Sequence, residues 1–199
     1  MDASTTQYQI VRKLSDGAMA EILLATTPSQ TAPVVLKVLR PELTTDPQTV
    51  GRFLDEVKLS RGFTHPNLLR ALDAGRLPDG RLFWATEFLE GEDLAAYLRR
   101  QGPLDPAKLL PLACALCDAL DYVHQRGIVH RDLKPENVFL QGGLGNGPAR
   151  LIDFGLAWFA GRGTVRTGEG VILATPEYTP PECVNGGTAT AWSDQYALG

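Results

Sequence analysis

The chain has 199 residues, enough for one domain or for two small lobes that share a cleft. Of these residues 44% are hydrophobic and 21% are charged, which is ordinary for a globular protein. The net charge of −4 provides no basic field for nucleic acid or for an anionic membrane. No apolar run approaches the length that spans a bilayer, so we expect a soluble, cytoplasmic protein without a membrane segment.

The first part of the chain has the pattern of short strands separated by turns that contain glycine or proline. The predicted strands are Tyr8–Ser15, Ala20–Thr26, Val34–Leu39, Leu68–Ala74 and Arg81–Glu87. A helix interrupts them after the third strand. We expect Asp46 to be its N-cap, Pro47 its first residue and Gly62 its end.

Beyond Gly91 the pattern becomes mainly helical. Leu94–Arg100 predicts a short helix, and Asp105-Pro106 begins a long one. The long helix has one apolar face, made of Leu109, Leu112, Ala113, Leu116, Leu120 and Val123. Its Cys114 and Cys117 have no second pair and no histidine placed to complete a zinc site, so we interpret them as small apolar helix residues. Two short strands follow, Val138–Leu140 and Arg150–Ile152.

The most specific motif is the run from His130 to Asn137, which reads HRDLKPEN and is followed sixteen residues later by Asp153-Phe154-Gly155. Phosphoryl transfer requires charge neutralisation on a triphosphate and a hydroxyl held in line with it. Asp132 can orient that hydroxyl or accept its proton, and Lys134 can reach the transferring phosphate. Asn137 and Asp153 supply the hard oxygen ligands that Mg²⁺ prefers.

In this order, these residues resemble the catalytic and metal-binding loops of the protein kinase family, in the eukaryotic-like form found in bacteria. The resemblance implies a two-lobed α+β fold. Residues 1–89 would form an N-lobe with a five-stranded antiparallel sheet and one helix, and residues 90–199 a mainly helical C-lobe. Ser193–Gly199 resembles the start of the central C-lobe helix, in which Asp194 would brace the catalytic loop. We therefore expect the chain to be a fragment of a longer protein.

The resemblance also implies a nucleotide site that takes ATP with Mg²⁺, or with Mn²⁺ in its place. Lys37 matches the lysine that holds the α- and β-phosphates, and Glu56 matches the helix glutamate that pairs with it. Of the family's three loop glycines the chain keeps Gly17, and Val35 replaces the usual alanine beside adenine, so we expect a narrower pocket. The residues assigned to nucleotide binding are Leu14, Gly17, Ile22, Val35, Lys37, Thr86, Glu87, Leu89, Asp93, Phe139 and Asp153.

The resemblance further points to protein serines and threonines as acceptors. Lys134 fits the serine/threonine pattern, and Thr175 matches the threonine that bonds the catalytic aspartate and lysine. Arg131 matches an arginine that reads a phosphate on the activation segment, and we hypothesise that Thr164 or Thr167 is autophosphorylated. Activation through a homodimer is one route that the family uses.

Other classes of function remain open at this point. An ATP-binding pseudokinase, or an inactive fragment, is favoured by the altered glycine loop, by Val35 and by the absence of further C-lobe helices. A small-molecule phosphotransferase of related fold would share Asp132 but typically lacks the full run to Asn137 and the Thr175 segment. A binding-only interaction domain is the third alternative. The intact Lys37 and catalytic run favour an active protein kinase.

Overall fold

The structure is a computed structural model that describes residues 8–17, 19–154, 176–184 and 187–199. Its contacts divide the chain into two compact units. The first holds residues up to 64 together with 69–89, and the second holds residues 65–68 and 90–199. None of the helices in these ranges is both long enough and apolar enough to cross a membrane.

The first unit is a five-stranded antiparallel sheet with one helix, as predicted. Its strands are β1 (Gln9–Asp16), β2 (Ala20–Thr27), β3 (Gln30–Leu39), β4 (Ala71–Arg76) and β5 (Leu82–Glu87), in the order β1-β2-β3-β5-β4. One face of the sheet buries a core of Leu23, Ala25, Val34, Leu36, Val38, Phe83 and Ala85. The other face buries Leu39, Leu82 and Trp84 against the helix. Successive side chains of a strand point to opposite faces of the sheet, so the same strands contribute to both cores.

The helix of the first unit, α1 (Pro47–Arg61), has the limits that the sequence predicts. The Asp46 side chain accepts hydrogen bonds from the backbone N–H groups of Gln48 and Thr49, and Gly62 is the C-cap. Phe53 and Val57 of α1 pack into the core on the sheet face that it covers. They lie four residues apart, so they share one side of the helix.

The second unit combines helices with a small sheet. Its helices are α2 (Leu94–Gln101), α3 (Pro106–His124), α4 (Pro181–Val184) and α5 (Ala191–Leu198), and its strands are β6 (Gly91–Asp93), β7 (Val138–Gln141) and β8 (Ala149–Leu151). The strands pair in the order β6-β7-β8. Leu112, Leu116, Ala119, Leu120 and Val123 are the buried residues of α3.

Several details differ from the sequence prediction, including β6, which was not predicted, and β3, which begins at Gln30 rather than Val34. The fourth strand was predicted from Leu68 but begins at Ala71, because Leu68 instead forms a parallel bridge with Leu151 of β8. Leu109, assigned to the apolar face of the long helix, is 48% exposed. Cys114 and Cys117 are free and exposed on α3.

Candidate active site

The central feature of the second unit is a cluster formed by Asp132, Lys134 and Asn137. Lys134 Nζ lies 2.9 Å from Asp132 Oδ2 and 3.1 Å from Oδ1. The Asn137 amide donates to Oδ2 at 3.0 Å and to the Asp132 carbonyl at 2.7 Å. The carboxylate is thus held by a cation and an amide, and its side chain is 17% exposed. A carboxylate has about four acceptor positions, so it retains the capacity to accept one more proton donor.

Asp194 of α5 binds the backbone of the two residues that precede Asp132 in the sequence, as predicted. Its Oδ2 accepts from the backbone N–H of His130 at 2.8 Å, and its Oδ1 accepts from that of Arg131 at 2.7 Å. His124 Nε2 also donates to Oδ2 at 2.7 Å. Asp194 is fully buried. Its bonds fix Arg131 at φ +68°, a left-handed conformation that a residue with a side chain rarely adopts.

His130 is the most buried titratable group of the loop. Its Nε2 donates to the carbonyl of Ile152 at 3.2 Å, its ring lies 4.6 Å from that of Phe154, and its Nδ1 has no hydrogen-bond partner in the described part of the chain. Burial lowers the pKa of His130 below its usual value, although the nearby Asp194 carboxylate opposes the shift. The folded protein therefore keeps this imidazole neutral.

A neutral His130 predicts how stability depends on pH. Below about pH 6.5 the unfolded chain binds a proton at this position that the folded chain does not. The free energy of unfolding should therefore fall as the pH drops, by at most about 1.4 kcal/mol per pH unit from this residue, until the lower pKa of the folded state is reached. Urea unfolding of the wild type and of His130→Gln across this range isolates the contribution. The variant should show the shallower dependence, and equal slopes would refute the assignment.

Lys37 and Glu56 form the predicted ion pair in the first unit. Lys37 Nζ, on β3, lies 3.2 Å from Glu56 Oε1, on α1. The glutamate is buried, and the lysine side chain is 18% exposed. Because the pair is largely withdrawn from water, it is screened less than a surface pair. The geometry holds the ammonium group of Lys37 over one face of the sheet.

Several residues assigned to nucleotide binding share that face. Ile22 lies directly across from Lys37, and Val35 lies directly across from Thr86, and directly opposed residues of antiparallel strands point to the same side. The Thr86 hydroxyl donates to the Glu87 carbonyl at 3.3 Å, and the resemblance to protein kinases implies that this oxygen also accepts from the adenine edge. A carbonyl oxygen has two lone pairs, so both donors can be accommodated.

The turn after β1 is closed around Gly17. Its N–H donates to the carbonyl of Ala20 at 3.0 Å, and a Cβ on Gly17 would lie 3.0 Å from that same oxygen. Arg40 Nε donates to the Gly17 carbonyl at 2.9 Å. Leu14 lies at the second of two irregularities in the pairing of β1 with β2. The one glycine that the chain retains in this turn thus stands where a side chain would crowd the Ala20 carbonyl.

Asp93 and Phe139 are brought together by β6. They are directly paired residues of β6 and β7, and Asp93 Oδ1 also accepts from the Ala96 N–H at 2.7 Å as the N-cap of α2. Gly91 makes the pairing possible, because at its φ of +148° a Cβ would lie 2.1 Å from the Leu140 carbonyl oxygen. Two residues predicted to contact the nucleoside are therefore neighbours in the second unit.

The candidate metal ligands are Asn137 and Asp153. The side-chain nitrogen of Asn137 donates to Asp132, so the side-chain oxygen of Asn137 is the atom suited to bind a cation. Asp153 is exposed and has a left-handed φ of +58°. No three His, Cys, Asp or Glu side chains within the described ranges are grouped to hold a metal ion. Two oxygen donors completed by phosphate oxygens and water suit Mg²⁺, so the donor set fits.

Comparison with known proteins decides the family. The family model described as the protein kinase domain matches residues 8–199. The chain belongs to the protein kinase family. It is 36% identical over 198 residues to serine/threonine-protein kinase pkn3 of Myxococcus xanthus, a match covering 97% of this chain and 36% of that protein. It is 34% identical over 193 residues to serine/threonine-protein kinase PrkC of Bacillus subtilis, covering 97% of this chain and 29% of that protein.

A solved structure supports the same family. The kinase domain of Mycobacterium tuberculosis PknI matches with a TM-score of 0.73 and 32% identity, covering all of this chain and 74% of that chain. The predicted protein kinase fold and the resemblance to bacterial serine/threonine kinases are confirmed. The chain spans about a third of the length of the two curated relatives. Protein kinases use ATP and a divalent metal.

Some predicted residues of this kinase domain lie outside the described residues. They are Gly155, Thr164, Thr167 and Thr175. Arg131 is described, and its Nε and Nη1 are buried without a hydrogen-bond partner among the described residues. Burial also lowers the pKa of the Arg131 guanidinium. A role for Arg131 in binding a phosphate on Thr164 or Thr167 remains a hypothesis.

Two contacts of the kinase site do not follow from the sequence prediction. His124 donates to Asp194, and the signal for this contact is its place at the end of the long helix that precedes the catalytic run. The pattern around Trp84 predicts only a strand residue, yet its ring lies 4.9 Å from Lys37 Nζ. No local pattern could have found this second contact, because it depends on how β3 and β5 are aligned.

Proposed function

We propose that this chain is the catalytic part of a serine/threonine protein kinase, which transfers the γ-phosphate of ATP to protein hydroxyls, its own included. The observation that carries the proposal is the cluster of Asp132 with Lys134 and Asn137, joined by bonds of 2.9 to 3.1 Å. The names of the relatives, serine/threonine-protein kinases, support the same activity. The serine/threonine preference also follows the pattern of Lys134 in the catalytic loop.

Asp132 would orient the acceptor hydroxyl and take its proton as the oxygen attacks phosphorus. Lys134 holds the carboxylate and would neutralise charge that develops on the transferring phosphate. Asn137 donates to Oδ2, an oxygen that Lys134 also contacts, and this second bond restrains the rotation of the Asp132 carboxylate. The reaction thus depends on a base whose orientation is set before the substrate arrives.

The first unit would supply the nucleotide contacts. Lys37, held by Glu56, would bind the α- and β-phosphates. Ile22 and Val35 would pack on the adenine ring, and the backbone beyond Thr86, at Glu87 and Leu89, would bond the adenine edge. Leu14 and Gly17 would complete the nucleotide contacts of this unit, and Asp93 and Phe139 are the nucleotide-binding residues assigned to the second unit.

We propose Mg²⁺ as the metal, with Asn137 and Asp153 as its protein ligands and Mn²⁺ as a substitute. When bound, the cation supplies charge neutralisation on the phosphate oxygens. The support is the donor set, one amide oxygen and one carboxylate, which are hard ligands of the kind Mg²⁺ prefers.

The test is transfer of label from γ-labelled ATP to the chain and to a generic basic protein. Lys37→Met should lower the rate by about 10² to 10³-fold, the usual cost of losing one group that stabilises transition-state charge. Chelation of divalent metal should abolish transfer, and added Mg²⁺ should restore it. Lys58→Met, which changes an exposed lysine on α1, is the matched control and should retain the rate.

Two results of this labelling experiment would contradict the proposal. If the wild type incorporates no label but ATP raises its melting temperature, the chain binds nucleotide as a pseudokinase or inactive fragment. If ATP affects neither labelling nor melting, the nucleotide site itself is wrongly assigned.

A further inference from the structure

The ammonium group of Lys37 has a second neighbour besides Glu56. Its Nζ lies 4.9 Å from the centre of the Trp84 ring, in the geometry of a cation–π contact. Lys37 and Trp84 are directly paired residues of β3 and β5, so both side chains rise from the same face of the sheet. The strand register, rather than chance proximity on a surface, sets this contact.

The same indole ring also contacts the helix that carries Glu56. The rings of Trp84 and Phe53 have centroids 6.0 Å apart and are tilted by 35°. Phe53 and Glu56 lie three residues apart on α1, so they are on the same side of the helix. Trp84 is 5% exposed and belongs to the core that joins α1 to the sheet.

From these contacts we infer that Trp84 is a positioning residue for Lys37. A lysine side chain is flexible, so a second contact beside the ion pair with Glu56 restricts the conformations of the ammonium group. The indole face supports the ammonium from the strand side while Glu56 binds it from the helix side. Because the ring also packs on Phe53, a shift of α1 would move both supports together. The inference rests on the proposed phosphate-binding role of Lys37.

Burial in a core explains why an apolar side chain stands at position 84, but any large apolar residue would satisfy that need. An aromatic face at position 84 can serve both the Phe53 ring and the Lys37 charge, and the double-mutant cycle with Lys37 isolates the contribution of the charge. Trp84→Met, which fills much of the same space with a flexible side chain, and Trp84→Phe, which keeps an aromatic face, separate the aromatic contribution from filling of the core.

The first experiment is a double-mutant cycle on stability in the absence of nucleotide, using Trp84→Met and Lys37→Met. If the ring and the ammonium interact, Trp84→Met should change the unfolding equilibrium constant about fivefold more when Lys37 is present than when it is replaced. An effect of Trp84→Met that is the same in both backgrounds would overturn the inference.

The second experiment measures phosphate transfer at a temperature where all variants are folded. Trp84→Met should lower kcat/KM for ATP about fivefold or more, and Trp84→Phe should recover most of it. The matched control is Trp192→Met, since Trp192 is 75% exposed on α5. Equal losses in Trp84→Met and Trp84→Phe would mean that Trp84 contributes packing alone.

A spectroscopic measurement covers the case in which Trp84→Met does not fold. Trp158→Phe and Trp192→Phe leave Trp84 as the single tryptophan of the three in the chain. In that background Lys37→Met should shift the emission of Trp84, whereas Lys58→Met should not. An unchanged spectrum would overturn the inference. A wild type that transfers no phosphate would instead contradict the proposed function, and the cycle and the spectrum would still decide whether Trp84 holds Lys37.

Discussion

We expect Asp132→Asn to lower the rate of γ-phosphate transfer by about 10² to 10⁴-fold, the range for loss of a general base. The amide has the shape of the carboxylate but no negative charge, so it cannot take the proton of the acceptor hydroxyl. It also loses its ion pair with Lys134, whose Nζ lies 2.9 Å from Oδ2. The folded structure should be retained, because the side chain is only partly buried and the change adds no volume.

Single-turnover transfer from γ-labelled ATP measures this effect separately from product release. Asp118→Asn, the same substitution at an exposed position of α3, is the matched control and should transfer phosphate at the wild-type rate. A melting temperature measured for each variant checks that the proteins compared are folded. A rate for Asp132→Asn close to that of the wild type would show that this carboxylate does not act on the hydroxyl.

Asp194→Ala should lower the free energy of unfolding by about 3 to 5 kcal/mol, the largest stability effect that we expect from one side chain. The substitution removes the acceptor for the buried backbone N–H groups of His130 and Arg131 and for the His124 ring. Each buried donor left without a partner costs about 1 to 3 kcal/mol. The left-handed backbone of Arg131 also loses the bond that stabilises it.

Urea unfolding gives this free energy directly. Asp118→Ala is the control, and as an exposed substitution it should change stability by less than about 0.5 kcal/mol. Asp194→Asn keeps one acceptor oxygen and should lie between the wild type and Asp194→Ala. If Asp194→Ala were as stable as Asp118→Ala, the bonds from Asp194 to the catalytic loop would contribute nothing to the fold.

Features set by short-range signals were predictable from the sequence. The limits of α1 follow from an aspartate N-cap, a proline in the first turn and a closing glycine at Asp46, Pro47 and Gly62, and each signal acts within a few residues. The catalytic run from His130 to Asn137 was equally predictable, because this order of residue types is specific to the catalytic loop of protein kinases. Asp132 and Asn137 are close in sequence, and the short turn between them brings them into contact.

Features that depend on long-range pairing were not predictable in the same way. Strand β6 has only three residues, too few to show a period, and it exists because Gly91 allows close pairing with β7. The start of β4 was misplaced because the residues before it pair with β8, more than 80 positions away. The contact between Lys37 and Trp84 likewise depends on the register of two strands separated by α1 and β4.

The measurement that tests the central claim most directly is the detection of phosphoserine and phosphothreonine, by mass spectrometry, after incubation with ATP and Mg²⁺. The wild type and Asp132→Asn would be compared, each alone and with a generic basic protein as acceptor. We predict phosphorylated serine or threonine in the wild-type reactions and a loss of nearly all of it in Asp132→Asn. Equal phosphorylation in both reactions, or none in either, would contradict the account of this chain as a protein kinase that acts through Asp132.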